Sequence, residues 1–344
     1  MEHRTLGRTG VKVSPLCLGA MMFGAWGEPD HDESVRIIHR ALDAGINFID
    51  TADVYSQGES EEIVGKALAQ VDRSQVVLAT KFHGSIGDDP NRSGNSRRWI
   101  VQEVDNSLRR LGTDYLDLYQ VHRPDPTTDI EETLSALTDL VRAGKIRYFG
   151  HSTFPAHQIV EAQWAAQRRG TERFVSEQPP YSMLVRGIEA AVLPVCQSYG
   201  IGVIPWSPLG GGWLSGRFGS GKDNSSRRAE RLPGRYDLSK PANQRKMEAV
   251  DRLQALADEA GMSLIHLALA FVLEHPAVSS AIIGPRTMDH LEGQLGAAEI
   301  RLDRDLLDRI DEIVPPGTDF SLDDAGYVPP ALARPELRRR PPAR

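Results

Sequence analysis

The chain reads as an α/β protein, a (β/α)8 barrel with an N-terminal β-hairpin and long loops at its C-terminal face. Three observations carry that expectation. Eight short apolar runs, at 16–19, 47–50, 76–80, 116–121, 148–152, 174–178, 202–206 and 278–283, alternate with amphipathic helix patterns. The runs are apolar without a polar face, as strands of an all-parallel sheet covered on both sides must be. The G-x-G-x-x-G turn that a dinucleotide-binding open sheet needs after its first strand is missing, and no shift of composition marks a boundary. At 344 residues the whole of 1–344 fits one barrel domain.

The elements follow in order. Residues 4–13 predict a hairpin turning at Gly7 to Gly10, placed to plug the N-terminal mouth of the barrel. In 34–44, Val35, Ile38, Ala41 and Leu42 share one face and Gly45 supplies the stop. Helices are predicted at 60–69, at 96–111 ending on Gly112, and at 130–143 ending on Gly144. Further ones fall at 155–168, 188–199 and 287–297. Between the seventh and eighth runs lie two, 244–260 and 263–274, parted by Gly261. Two long irregular stretches, 84–95 and a lid loop at about 208–243, follow strands and so overhang the C-terminal face, where barrel enzymes place their active sites.

Composition excludes several classes. With 40% hydrophobic and 25% charged residues and a net charge of −7, the chain is an ordinary globular one with no general pull toward nucleic acid or anionic membrane. The basic tail at about 330–344 is short and proline-rich and reads as a flexible, solvated terminus. Cys17 and Cys196 are too few for a disulfide framework or a thiolate metal site and read as small buried hydrophobes. No apolar run approaches the roughly 20 residues of a membrane span and no signal core opens the chain, so a cytoplasmic protein is expected.

Polar residues end the runs. Asp50, Lys81, His122, Ser152, Gln178 and Trp206 lie at or just after successive strand ends, which a barrel gathers at one mouth. Alone, each has an ordinary reading: a turn partner, a surface charge, a loop cap, a core tryptophan. Together, Asp50, Tyr55, Lys81 and His122 form a proton-donating set suited to carbonyl reduction. Lysine favours the phenolate and lowers the tyrosine pKa from about 10, aspartate orients the lysine, and histidine orients a carbonyl or shares the proton. Gly216-Arg-Phe-Gly-Ser-Gly-Lys222 imitates a phosphate loop, but Asp223 stands where the hydroxyl residue is required and no apolar helix follows.

Over 4–315 the sequence resembles the aldo-keto reductase family. The segments that carry the likeness are Gly45-Ile-Asn-Phe-Ile-Asp-Thr-Ala-Asp-Val-Tyr55, Ala79-Thr-Lys81, Asp114-Tyr-Leu-Asp-Leu-Tyr-Gln-Val-His122, Trp206-Ser-Pro-Leu-Gly210 and Ile282-Ile-Gly-Pro-Arg-Thr287, in family order and on the predicted strand ends. The resemblance implies an NADP-dependent oxidoreductase without a metal, with Tyr55 as general acid, Lys81 tuning it, Asp50 pairing with Lys81 and His122 orienting the carbonyl. It implies that Trp206 stacks on the nicotinamide while Gln178 and Ser152 take the carboxamide. Thr153 departs from the usual Asn, offering one hydroxyl in place of an amide. Ser207, Leu209, Gly210, Gly212 and Arg217 match the loop over the pyrophosphate. Gly284 and Arg286 open the last helix, where a guanidinium and helix N–H groups suit the 2′-phosphate of NADPH. His290 and Gln294 stand where the family commonly has Arg and Asn.

Phe23, Trp26, His83 and Tyr181 are the expected walls of a pocket for flat or apolar carbonyl compounds. The expected partner is therefore a small-molecule aldehyde or ketone, with neither nucleic acid nor membrane. A cofactor-sensing or scaffolding subunit, as some members of the family are, is the alternative. Dehydrogenation of a sugar or alcohol is the same chemistry reversed.

Overall fold

In the computed structural model, residues 1–222, 229–230 and 232–338 are described; Asp223, the middle of the lid and the last six residues of the tail lie outside that set. The hairpin pairs β1 (Arg4–Thr5) with β2 (Lys12–Val13) antiparallel. Eight parallel strands follow: β3 (Leu16–Gly19), β4 (Phe48–Asp50), β5 (Val77–Phe82), β6 (Leu116–Val121), β7 (Ile146–His151), β8 (Ser176–Glu177), β9 (Gly202–Val203) and β10 (Ala281–Ile283). Each sequential pair from β3 to β9 is hydrogen-bonded and β10 lies beside β3. The ring closes through Val203 N to Ala277 O at 3.0 Å and Ser279 N to Val203 O at 2.9 Å. This is the expected (β/α)8 barrel.

The alternation within strands sorts side chains into two cores. Cys17, Phe48, Ala79, Leu118, Ile204 and Ile282 pack inside the barrel. Leu6 and Val13 of the hairpin join them, so the hairpin does plug the N-terminal mouth. Ser279 Oγ also donates to Thr5 O at 3.0 Å. Gly7 is required there: at φ 52° it presses so close that a Cβ would sit 2.7 Å from Gly200 O. Leu16, Leu18, Ile49, Leu78 and Tyr119 point the other way, toward the helices.

Those helices are α1 (His31–Asp43), α2 (Glu59–Leu68), α3 (Arg97–Leu111), α4 (Ile130–Arg142), α5 (Ala156–Arg169), α6 (Val192–Tyr199), α7 (Pro241–Glu259), α8 (Leu264–Glu274) and α9 (Met288–Leu295), with α10 (Arg304–Ile313) after them. Several boundaries differ from expectation for local reasons. The first helix begins at His31 because Asp30 caps it, accepting from Asp32 N and Glu33 N. The segment expected as 188–199 splits into a 3-10 turn, Gly187–Ala190, and α6, because Ala191 leaves helical geometry. The seventh run is a regular strand only over Gly202–Val203; Pro205 has no N–H for a ladder, and beyond it the pairing continues as a single parallel bridge between Trp206 and Pro180. Within the tail, the described residues form a four-residue helix, Pro330–Ala333, and a 3-10 turn, Pro335–Leu337.

Candidate active site

The barrel brings Asp50, Tyr55, Lys81 and His122 together. Lys81 is wholly buried in β5, and its ammonium donates to Asp50 Oδ1 at 2.5 Å, to Thr51 O at 2.8 Å and to Tyr55 Oη at 3.1 Å. All three protons of the ammonium are thereby engaged. Asp50 keeps its other oxygen for two amides, Gln120 Nε2 at 3.0 Å and Gln178 Nε2 at 2.8 Å. His122 meets Tyr55 edge-on with ring centres 5.7 Å apart, and Trp26 flanks the phenol at 6.1 Å.

The electrostatics sharpen the expectation about Tyr55. Burial raises the phenol pKa above its ordinary 10.0 and outweighs the downward pull of Lys81. The lysine acts in the expected direction, but the net shift is upward and the phenol keeps its proton at neutral pH. Lys81 is itself pressed to deprotonate by burial, yet Asp50 and Tyr55 more than compensate and its pKa rises. Burial, with Lys81 and Arg123 nearby, holds His122 well below 6.5. The histidine is therefore a neutral hydrogen-bonding group, not a charged one.

Around this centre the chain is held in uncommon conformations. Among the described residues, five that are not glycine have positive φ: Ser56 (48°), Gln57 (58°), His83 (136°), Thr153 (59°) and Ser207 (55°). All follow strand ends β4, β5, β7 and β9, at the same mouth. Strain of this kind persists where surrounding contacts over-determine the backbone and concentrates at functional sites.

The other expected residues divide. Ser152 donates to Gln178 O at 2.7 Å and Thr153 to Ser152 O at 2.7 Å, so both hydroxyl protons are engaged within the protein. Both side-chain N–H groups of Gln178 are also turned inward, which leaves its Oε1 to receive a donor. Trp206 is half-buried at the mouth. In the lid, Ser207 O accepts from Gly210 N at 2.8 Å, and Leu209 O from Gly212 N at 2.9 Å. Gly210, Gly211 and Gly212 all have positive φ, a path open to glycine. Trp213 stacks on Tyr236 at 5.6 Å, and Tyr236 Oη donates to Gly211 O at 2.7 Å, pinning the glycine turn. At α9, Gly284 has open space around it. Arg286, Arg217 and His290 share one neighbourhood, and burial followed by the two guanidiniums lowers the His290 pKa.

Tyr181 donates to Glu189 Oε1 at 2.7 Å with its ring against Phe271, and it lines a cavity together with Pro180, Trp206, Ser207 and Gly210. Two residues sit differently from expectation. Phe23 is fully buried in the core between barrel and helices and does not wall the pocket. Gln294 is buried and donates back to His290 O at 2.5 Å. Trp26 and His83 do lie at the mouth; His83 Nδ1 is 2.9 Å from Asn95 Oδ1 in the 84–95 loop.

Gln120 went unpredicted, although it stands two residues before His122 on one strand, and period-two alternation places both on one face. Arg123, whose Nη1 donates to His122 O at 2.6 Å and reaches Ser152 Oγ at 3.4 Å, was also passed over. So was the segment after α10. A Cβ on Gly326 would come within 3.0 Å of both Thr153 and Trp206, and Asp324 accepts from Lys246 at 2.5 Å.

The fold is a (β/α)8 barrel with its polar strand-end residues gathered at one mouth. The aldo/keto reductase family profile matches residues 15–315, and the chain belongs to that family. It is 40% identical to an uncharacterized oxidoreductase of Bacillus subtilis, over 92% of this chain and 96% of that one. It is 36% identical to a versiconal hemiacetal acetate reductase of Aspergillus parasiticus, over 91% and 96% of the two chains. A probable voltage-gated potassium channel subunit beta of Arabidopsis thaliana is also 36% identical, over 91% and 97%. Family membership supports a nicotinamide cofactor and carbonyl reduction.

Proposed function

We propose that this protein reduces an aldehyde or ketone to the alcohol with NADPH, Tyr55 giving the proton to the carbonyl oxygen. The observation that carries the reading is the run of contacts from Tyr55 Oη to Lys81 Nζ at 3.1 Å and on to Asp50 at 2.5 Å, wholly shielded from water at the lysine. When bound, the cofactor supplies a hydride to the carbonyl carbon. Tyr55 then protonates the oxygen as negative charge develops on it, and the phenolate left behind lies against the Lys81 ammonium until water returns the proton. Neutral His122 offers a ring N–H to orient the carbonyl. Trp26 and His83 would favour flat or apolar carbonyl groups.

The mouth fits the cofactor. Gln178 Oε1 and Ser152 Oγ are acceptors suited to a carboxamide NH2, with Trp206 beside them as a stacking face. The positive-φ glycines of the lid let backbone approach a pyrophosphate, and the Arg217, Arg286 and His290 cluster at the α9 N-terminus suits a 2′-phosphate.

A panel of aldehydes and ketones, followed by NADPH absorbance beside NADH, tests the reading. Tyr55→Phe is expected to lower turnover about 10²–10⁴-fold with NADPH binding intact, the range for removing a positioned acid. Normal turnover in that variant would falsify the role of Tyr55. The relatives named as potassium channel subunits support a second reading, a cofactor-binding subunit. Tight NADPH binding with negligible turnover on every carbonyl in the panel would favour it.

A further inference from the structure

Tyr55 opens the short 3-10 turn Tyr55–Gly58, and Lys81 stands on β5. The turn carries three successive left-handed residues, Ser56, Gln57 and Gly58, a backbone that persists only where contacts over-determine it. Arg110, in the last turn of α3, supplies such a contact. A Cβ on Gly58 would sit 2.8 Å from Arg110 Cδ and 3.2 Å from its Nε, so the arginine side chain packs directly on the Gly58 backbone. At φ 97° and against that side chain, glycine is the residue that fits.

Two fully buried carboxylates fix Arg110 in turn. Its Nε donates to Glu61 Oε2 at 2.6 Å and its Nη2 to Glu103 Oε1 at 2.5 Å. Glu103 also accepts from Asn106 Nδ2 at 2.8 Å. Glu61 lies on α2, three residues after Gly58, and its other oxygen accepts from Thr80 Oγ1 at 2.6 Å. Thr80 immediately precedes Lys81, and alternation along β5 turns the threonine toward the helices while the lysine enters the barrel. A continuous line of contacts therefore runs from the Lys81 strand through Thr80, Glu61 and Arg110 to the Tyr55 turn. Burying two carboxylates on one guanidinium is costly, and apolar side chains of the same volume would serve stability as well.

We propose that Arg110 and Glu61 are positioning residues: through Gly58 on one side and Thr80 on the other, they set where Tyr55 stands against Lys81. This deepens the reading above that Tyr55 gives the proton, and rests on it.

The test breaks the line at two links and reads hydride transfer in single turnovers at saturating NADPH, with NADPH affinity followed by quenching of protein fluorescence. Arg110→Lys keeps a positive charge but cannot hold both carboxylates and flank Gly58. It is expected to slow hydride transfer about tenfold with NADPH affinity held within about twofold, since a displacement of about 1 Å costs on the order of 10²-fold. Thr80→Val removes only the hydroxyl that ties Glu61 to β5, and is expected to slow the step about threefold; it carries the test where Arg110→Lys does not fold. Combined with Tyr55→Phe, either change is expected to cost less than about 1.5-fold more, because the phenol it positions is gone. Unchanged rates in the single variants, an equal loss in both Tyr55 backgrounds, or a loss confined to NADPH affinity overturns the inference alone. Normal turnover in Tyr55→Phe by itself, or no turnover in the unmutated protein, overturns the reading beneath it.

Discussion

Lys81 and Asp50 form an ion pair of 2.5 Å in which the lysine side chain has no solvent exposure and the aspartate 3%. Taking both charges out of water is costly, and what compensates is complete partnering: Thr51 O and Tyr55 Oη for the lysine, Gln120 and Gln178 for the aspartate. Breaking one side of such a pair leaves a buried charge alone. Lys81→Met is therefore expected to destabilise the fold by about 3–5 kcal/mol, measured by urea unfolding. Adding Asp50→Asn, which keeps an acceptor for the glutamines but removes the charge, is expected to restore part of that loss. If the double variant is no more stable than the single one, the uncompensated charge is not the cause.

The pH profile follows from the direction of two shifts. With Tyr55 as the proposed acid, reduction needs its phenol protonated; burial lifts that pKa above 10.0, so the rate is expected to stay level through neutral pH and to fall only at strongly alkaline pH. His122, held well below 6.5, is neutral across that range and is expected to add no inflection near 6.5. Alcohol oxidation needs the phenolate and is expected to rise with pH where reduction is still level. A kcat/KM profile with a limb at 6.5 that vanishes in His122→Gln would contradict this assignment.

Coenzyme choice is expected to hinge on His290. Burial, Arg286 and Arg217 lower its pKa, so at neutral pH it adds little positive charge beside the two guanidiniums. A phosphate bound there favours the imidazolium, and NADPH affinity is expected to rise as pH falls through the histidine's range, with NADH affinity flat. His290→Arg is expected to tighten NADPH by about 3–10-fold at neutral pH and to remove the slope, the size of one charge-assisted hydrogen bond partly exposed to water. Equal pH dependence for NADPH and NADH would place the effect elsewhere.

Much of this molecule is written locally. The period of the apolar runs marks all eight strands, because a strand covered on both faces must be apolar throughout. Gly112, and the helix cap at Asp30 once the structure draws attention to it, are readable in the same local way. The strand-end residues Asp50, Lys81, His122, Ser152, Gln178 and Trp206 could be grouped because a barrel has one C-terminal mouth and chain order alone delivers them there. The chemistry of residue types then pointed to Tyr55 as the expected proton donor of the set.

What the sequence could not determine depends on distances between residues far apart in the chain. Whether burial or Lys81 governs the Tyr55 pKa is a balance of desolvation against a charge 3.1 Å away, and no spacing in the chain encodes it. Phe23 and Trp26 are three residues apart in one loop, yet the first lies in the core and the second beside Tyr55, because the loop folds back on Glu59 and Ser56. Gly326 reaches Thr153 and Trp206 only after the chain has run around the whole barrel. Residue types and their order thus determined the barrel and the members of its mouth. Packing alone decided their protonation, which side chains face the cavity, and the buried partners behind them, since those are energies of contact and exclusion of water that exist only once the ring has closed.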